Sequence, residues 1–341
     1  MFPACAIESP LDGVQLAYEA TYYVVYHLVR ALTAVRQGDS FLYWPFLASS
    51  LILAVIAQRV HALRRNAPGP TSVRALFGAR LWWHRSARAD YALYLGNALI
   101  LPAVSGVLLF SDSDVGRLLE ALSGPPPEPD HSAAALVLWR LAFTLAFFVA
   151  YDFGRFVAHC LLHDVPCLWE FHKIHHSAEV LTPITSFRAH PVELLIMGWG
   201  GALATGLVAW VFHRLAGGAI TFYTFLGLHT LIWIANLVGN LRHSPVWISY
   251  GPFWGRWLIS PAHHQIHHSR EPRHWGCNRG FEIAIWDRIY GTLYVPSTQP
   301  ESFRLGLDDD SAGRFRFGTV YLAPFSRALR VLLRPPAKGG D

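Results

Sequence analysis

Apolar residues run in long blocks along this chain, separated by short polar, glycine- or proline-bearing stretches. A helix needs about 20 mostly apolar residues to cross the roughly 30 Å hydrocarbon core of a bilayer. Five blocks approach that length: about 41–58, 90–111, 134–158, 194–212 and 216–238. Only His213 to Leu215 part the last two, which predicts a tight hairpin or a re-entrant pair. Residues 16–35 are apolar on average but include Glu19, His27 and Arg30, a composition that suits an interfacial helix as well as a span. The first residues lack a basic n-region and carry Glu8 and Asp12 early, unlike a signal peptide. The pattern predicts an all-α, polytopic membrane protein with four to six transmembrane helices.

Loop charge sets the expected orientation. Arg59, Arg64, Arg65, Arg74, Arg80, Arg85 and Arg88 fill the connection 59–89, which is therefore expected in the cytoplasm. The next connection, 112–133, carries Asp112, Asp114, Glu120, Glu128 and Asp130 against Arg117 and is expected outside. Crossing back through 134–158 returns the chain to the cytoplasmic side. Three regions follow: an N-terminal membrane region, 1–133; a histidine-rich region, 134–296; and a Pro/Gly-punctuated, Arg-rich tail, 297–341. Within the tail, Leu322 to Leu333 reads as an amphipathic helix, packed on the protein or laid on anionic headgroups.

Composition agrees. Of 341 residues, 52% are hydrophobic and 15% charged, against about 25% charged in soluble domains. Disorder needs low hydrophobicity and high net charge, so it is excluded. Four scattered cysteines exclude a disulfide scaffold. The net charge of +5 is spread between apolar segments rather than gathered in a stripe, which argues for a membrane surface and against nucleic acid.

Histidine is the outlier: 18 copies, fourteen of them between His159 and His274. His159 and His163 form HxxxH at the end of a predicted span. His172, His175 and His176 form HxxHH, and His264, His267 and His268 form a second HxxHH. His243 stands between them in NLRHS. On a helix, positions i, i+3 and i+4 share a face, so each motif is expected to aim its imidazoles together. Imidazole suits Fe, Zn, Cu and Ni, and eight or nine rings are too many for one tetrahedral Zn, so two metals are expected. The Glu of a zinc-protease HExxH is missing between His159 and His163. Orienting partners are expected nearby. Asp152, seven residues before His159, shares its helix face; Asn240, His190, Asp164, Glu170, Asp287 and Asn236 are further candidates, and His263 faces away from His264.

These motifs, with RAHPVE (188–193), NRG (278–280) and WDRIYGTLYVP (286–296), make residues 134–296 resemble the fatty acid hydroxylase/sterol desaturase superfamily of integral-membrane non-haem di-iron oxidoreductases, in its bacterial form. Two departures stand out. Cys160 follows the first histidine where many members carry Arg, and the third histidine element is the single His243, with Asn240 upstream. The resemblance implies an O2-dependent enzyme that hydroxylates or desaturates a lipid at a cytoplasmic, histidine-rich helical cap on the bacterial inner membrane. It implies two iron ions, replaceable by Zn in recombinant protein, held by His159, His163, His172, His175, His176, His264, His267 and His268, with His243 a ninth ligand. Asp152, Asn240 and His190 would support catalysis beside them. Nothing reads as an Fe–S or haem-attachment motif, so electrons are expected from a separate ferredoxin, cytochrome b5-like protein or reductase. Competing readings are a bis-histidine haem protein, which predicts isolated facing histidines, and a non-catalytic metal binder or transporter, which predicts ionisable residues in several spans.

Overall fold

The computed structural model describes residues 10–63, 76–128, 132–218, 220–307 and 316–333. Four stretches are long and apolar enough to cross a membrane: Trp44–Leu63, Arg85–Ser123, Ala133–Asp164 and Pro191–Ala216. The chain is an all-α polytopic membrane protein with a histidine-rich cluster. The expected helices at 41–58, 90–111, 134–158 and 194–212 are present with shifted ends. We label them α2 (Trp44–Leu63), α3 (Arg85–Leu108), α5 (Ala133–Asp164) and α7 (Pro191–Ala216).

Local chemistry sets the ends. Ser132 accepts from the amide of Ala135 at the start of α5, and Pro191 opens α7, where its missing N–H costs nothing. On α5, Leu138, Leu141, Leu145, Phe153, Val157 and Leu161 are exposed, which in a membrane span is a lipid-facing surface. The opposite side packs on α7 through glycine: a Cβ on Gly154 or on Gly200 would collide with the other's carbonyl oxygen. Small residues let membrane helices approach this closely.

The 216–238 block does not form a span. Gly217 and Gly218 adopt positive φ (73° and 53°) and end α7. A two-stranded hairpin follows, Thr224–Phe225 against Leu228–His229, and then α8, Thr230–Gly239. Ten residues make only about 15 Å of helix, too short to cross. Hydropathy does not register the glycine breaks. Phe222 and His229 pack instead on Phe143 and Phe147 of α5, and the segment returns to the end of α5 that carries His159.

Of the stretch 16–35, residues 16–32 fall in α1 (Pro10–Leu32), which lies on α3: Tyr23 donates to the carbonyl of Leu99 and Tyr94 to that of Ala31, both at 2.7 Å. The acidic connection 112–133 holds a helix, α4 (Asp112–Ser123), with a Ser111–Asp114 capping box and packed on α7, where Trp210 donates to Ser123 at 3.1 Å. Asp130 and His131, and Arg64, Arg65 and Arg74 of the basic connection, lie outside the described residues. Four further helices, α6 (Pro166–His176), α9 (Pro261–His267), α10 (Ile285–Tyr290) and α11 (Ala323–Leu332), gather at the histidine end of α5. The tail helix α11 docks on α6, with Arg327 bonded to Glu170 at 2.8 Å and the Phe325 ring 5.1 Å from that of Phe171, and exposes Leu329 and Leu332.

Candidate metal centre

The nine expected histidines come together in two adjacent groups. His159, His163, His172, His176 and His267 form one; His175, His243, His264 and His268 form the other. In each group one ring nitrogen per residue lies within 4.8 Å of all the rest. All are buried except His163, which is half-buried.

The HxxHH triplets do not aim three rings at one point. Each gives its i and i+4 rings to one group and its i+3 ring to the other: His172 and His176 against His175, and His264 and His268 against His267. At 100° per residue, i+3 and i+4 straddle the i direction about 100° apart. One short helix therefore feeds two neighbouring centres, and the groups abut, with His176 and His268 ring centroids 4.9 Å apart and His264 and His267 5.5 Å apart.

Hydrogen bonds define which nitrogens face inward. Nδ1 of His159 meets the carbonyl of Arg279 at 2.7 Å, Nδ1 of His267 that of Cys277 at 2.8 Å, and Nδ1 of His175 that of Arg188 at 3.1 Å. A carbonyl only accepts, so these Nδ1 atoms carry the proton and, in a neutral ring, Nε2 presents a lone pair. The Nε2 atoms point at one another: His159 to His172 at 3.0 Å, His163 to His267 at 3.3 Å, His264 to His243 at 3.0 Å, and His268 to His264 at 3.1 Å. Burial keeps the rings neutral. It pushes His172 and His267 down to about 3 and His175 to about 4, and holds His176, His243, His264 and His268 well below the usual imidazole range. Converging lone pairs on neutral, buried imidazoles repel unless a cation lies between them. This donor set fits a pair of borderline transition-metal ions.

The supporting residues differ from those expected. Asp152, 1% exposed, accepts from the amides of Glu282 (2.8 Å) and Ile283 (3.1 Å) and from Trp286 Nε1 (2.9 Å); it fastens the 280s segment to α5 and bonds none of the nine rings. Asn240 donates to the carbonyl of Phe41 at 2.9 Å. His190 caps α7 by accepting from Val192 and reaches the carbonyl of Tyr321. His263 bonds Ser260 and Gly255, away from both groups. Asp287 accepts from the amides of Arg279 and Gly280, both at 2.7 Å, and so shapes the turn whose carbonyl holds His159. Two partners had no specific expectation: Glu193, with Oε1 3.0 Å from Nδ1 of His172, and Ser186, 3.0 Å from Nδ1 of His243. Glu193 lies within RAHPVE, which was the available signal. A cavity of about 620 Å³ opens on the groups, lined by His163, His176, His267, His268, Trp169 and Trp275 among others.

Residues 144–292 match the family model described as fatty acid hydroxylase. Among curated proteins, the chain is 31% identical over 196 residues to the ornithine lipid hydroxylase OlsE of Rhizobium tropici, covering 55% of this chain and 52% of that protein. It is 26% identical over 209 residues to the alkylglycerol monooxygenase of Xenopus tropicalis (56% and 42%). Identity is 27% over 174 residues to the Delta(7)-sterol 5(6)-desaturase of Eremothecium gossypii (51% and 43%). The chain thus spans about half the length, or less, of these relatives. No solved structure matches it at a significant level.

Proposed function

We propose that this chain, whose residues 144–292 belong to the fatty acid hydroxylase family, is an O2-dependent membrane oxidoreductase that hydroxylates a C–H bond of a lipid. The observation that carries the reading is the pair of adjacent groups of converging, neutral imidazoles. Two iron ions would be held, one by His159, His163, His172, His176 and His267 and the other by His175, His243, His264 and His268. When bound, such a pair supplies the reductive activation of O2 that side chains cannot perform. The chain's own part is positional. Carbonyls of Arg188, Cys277 and Arg279 fix three tautomers, Glu193 and Ser186 steady two further rings, and burial keeps protons off the ligands.

The relatives' names all specify lipid oxidation, of an ornithine lipid, an alkylglycerol and a sterol, which supports a lipid substrate reaching the site from the bilayer. The sterol desaturase among them supports desaturation as the second reading on the same scaffold. We assign residues 134–296 as the catalytic region, with the histidine face on the cytoplasmic side of the inner membrane, where a separate ferredoxin, cytochrome b5-like protein or reductase delivers electrons. Asp152, Asn240 and His190 then act through the elements they fasten. The test is metal analysis of the detergent-purified protein, then incubation with lipid extract, O2 and a reducing system under mass spectrometry. Two irons per chain and a lipid product gaining one oxygen atom are expected; loss of two hydrogens would instead indicate desaturation. Absence of bound metal, or a haem Soret band, overturns the di-iron reading.

A further inference from the structure

We infer that Asp90, on α3 and outside the matched residues 144–292, is a positioning residue of the metal centre: through Arg188 it fixes the backbone carbonyl that holds the His175 ring. The inference rests on the proposed di-metal reading.

Asp90 and Arg188 are 0% and 1% exposed, and their side chains meet at 2.7 Å. Arg188 also donates to the carbonyl of Ile174 at 3.0 Å and to the hydroxyl of Ser177 at 2.8 Å, at the C-terminal end of α6. It also donates to the carbonyl of Ser177 and to the carbonyl and hydroxyl of Ser86. The second oxygen of Asp90 accepts from Thr185 at 2.7 Å, inside the turn Pro183–Phe187 that leads to Arg188. Thus one carboxylate holds both the guanidinium and the turn, and the carbonyl of the same Arg188 accepts from Nδ1 of His175. A guanidinium buried this deeply without its carboxylate carries an uncompensated charge. Loss of Asp90 therefore moves the segment that aims His175, although Asp90 bonds none of the nine imidazoles. The adjoining ion pair of Arg85 with Glu179 is partly exposed and ties the start of α3 to the segment after α6 without touching Arg188's carbonyl, which makes it a control.

The test uses the full-length protein in detergent, stripped of metal and reloaded with Fe(II) or, as a spectroscopic probe, Co(II). Asp90→Asn removes the charge at constant shape. The double variant Asp90→Leu/Arg188→Met replaces the pair with apolar side chains, a change that often preserves or raises stability. Both are expected to lower metal affinity at the four-imidazole group by ~10–100-fold, leaving one tightly held Co(II) with its absorption bands intact, while Glu179→Gln keeps both ions. Thermal unfolding of the metal-free double variant near the wild-type temperature separates this from misfolding. Two tightly held ions with wild-type Co(II) bands in the double variant overturn the inference and leave the di-metal reading standing. A wild-type protein that takes up neither ion overturns both; one that binds two ions but oxidises no lipid overturns only the activity.

Discussion

Gly200→Ala is a one-atom-group change with a large expected effect. A Cβ there would collide with the carbonyl oxygen of Gly154 and lie 2.8 Å from the Cβ of Ala158, the residue before His159. Alanine favours a helix over glycine by about 1 kcal/mol, whereas overpacking costs roughly 1–3 kcal/mol and more when the obstacle is backbone. The obstacle here is the backbone of α5, so we expect a net loss of about 2 kcal/mol, or about 3 °C in unfolding temperature for a chain of this length. Separation of α5 from α7 also moves His159 and His163 against rings carried by α6 and α9, so metal per folded chain falls too. Gly201→Ala is the matched control: its Cβ would meet the Tyr151 ring at 3.5 Å, ordinary contact, and only the propensity gain remains. The assay is thermal unfolding of metal-free protein in detergent beside metal stoichiometry after reloading. If Gly200→Ala is as stable and as metal-rich as Gly201→Ala, the glycine crossing does not set the site.

Other expectations follow from the same geometry. Glu193→Leu removes the acceptor beside Nδ1 of His172; chelator competition is expected to show about 10-fold weaker binding at the five-imidazole group, and unchanged affinity would refute the role. Acidification should destabilise the metal-free protein. His172 and His267 sit at about 3 and His175 at about 4, against an ordinary 6.5, so the unfolded chain binds protons that the folded rings refuse. Stability is present above pH 6.5 and drains away as pH falls toward 4; denaturant midpoints that stay flat from pH 7.5 to 5 would contradict this. Asp287→Asn turns an amide against the N–H groups of Arg279 and Gly280 and is expected to cost about 2 kcal/mol, read as a lower unfolding temperature. His264→Ala with His268→Ala should release the metal of the four-imidazole group, and full retention would show that the ions sit elsewhere.

Much of this architecture was legible in sequence. Four spans and nine histidines follow from block length and i, i+3, i+4 spacing, because those signals depend on local helix geometry alone. The failures share a cause: they concern what one segment meets in another. Asp152 stands on the same face as His159, yet seven residues make about 10 Å of rise, too far for one carboxylate to reach that ring. It serves the amides of Glu282 and Ile283 instead, which no local pattern couples to it. The block 216–238 is apolar enough to span, but two left-handed glycines and a hairpin fold it against Phe143 and Phe147.

The orienting groups were hidden for a further reason. Three of the nine rings are fixed by main-chain carbonyls, those of Arg188, Cys277 and Arg279, and every residue type offers a carbonyl. What the site requires at these places is a rigid backbone, so the selective side chains stand one bond further away: Arg188 with Asp90 at one turn, Asp287 at the other. Both carboxylates are fully buried, where an unpaired charge is costly, and both hold backbone that in turn holds a ring. On the proposed di-metal reading the centre extends beyond its histidines into α3 and α10, and substitutions at these carboxylates should register as altered metal binding before they register as altered chemistry.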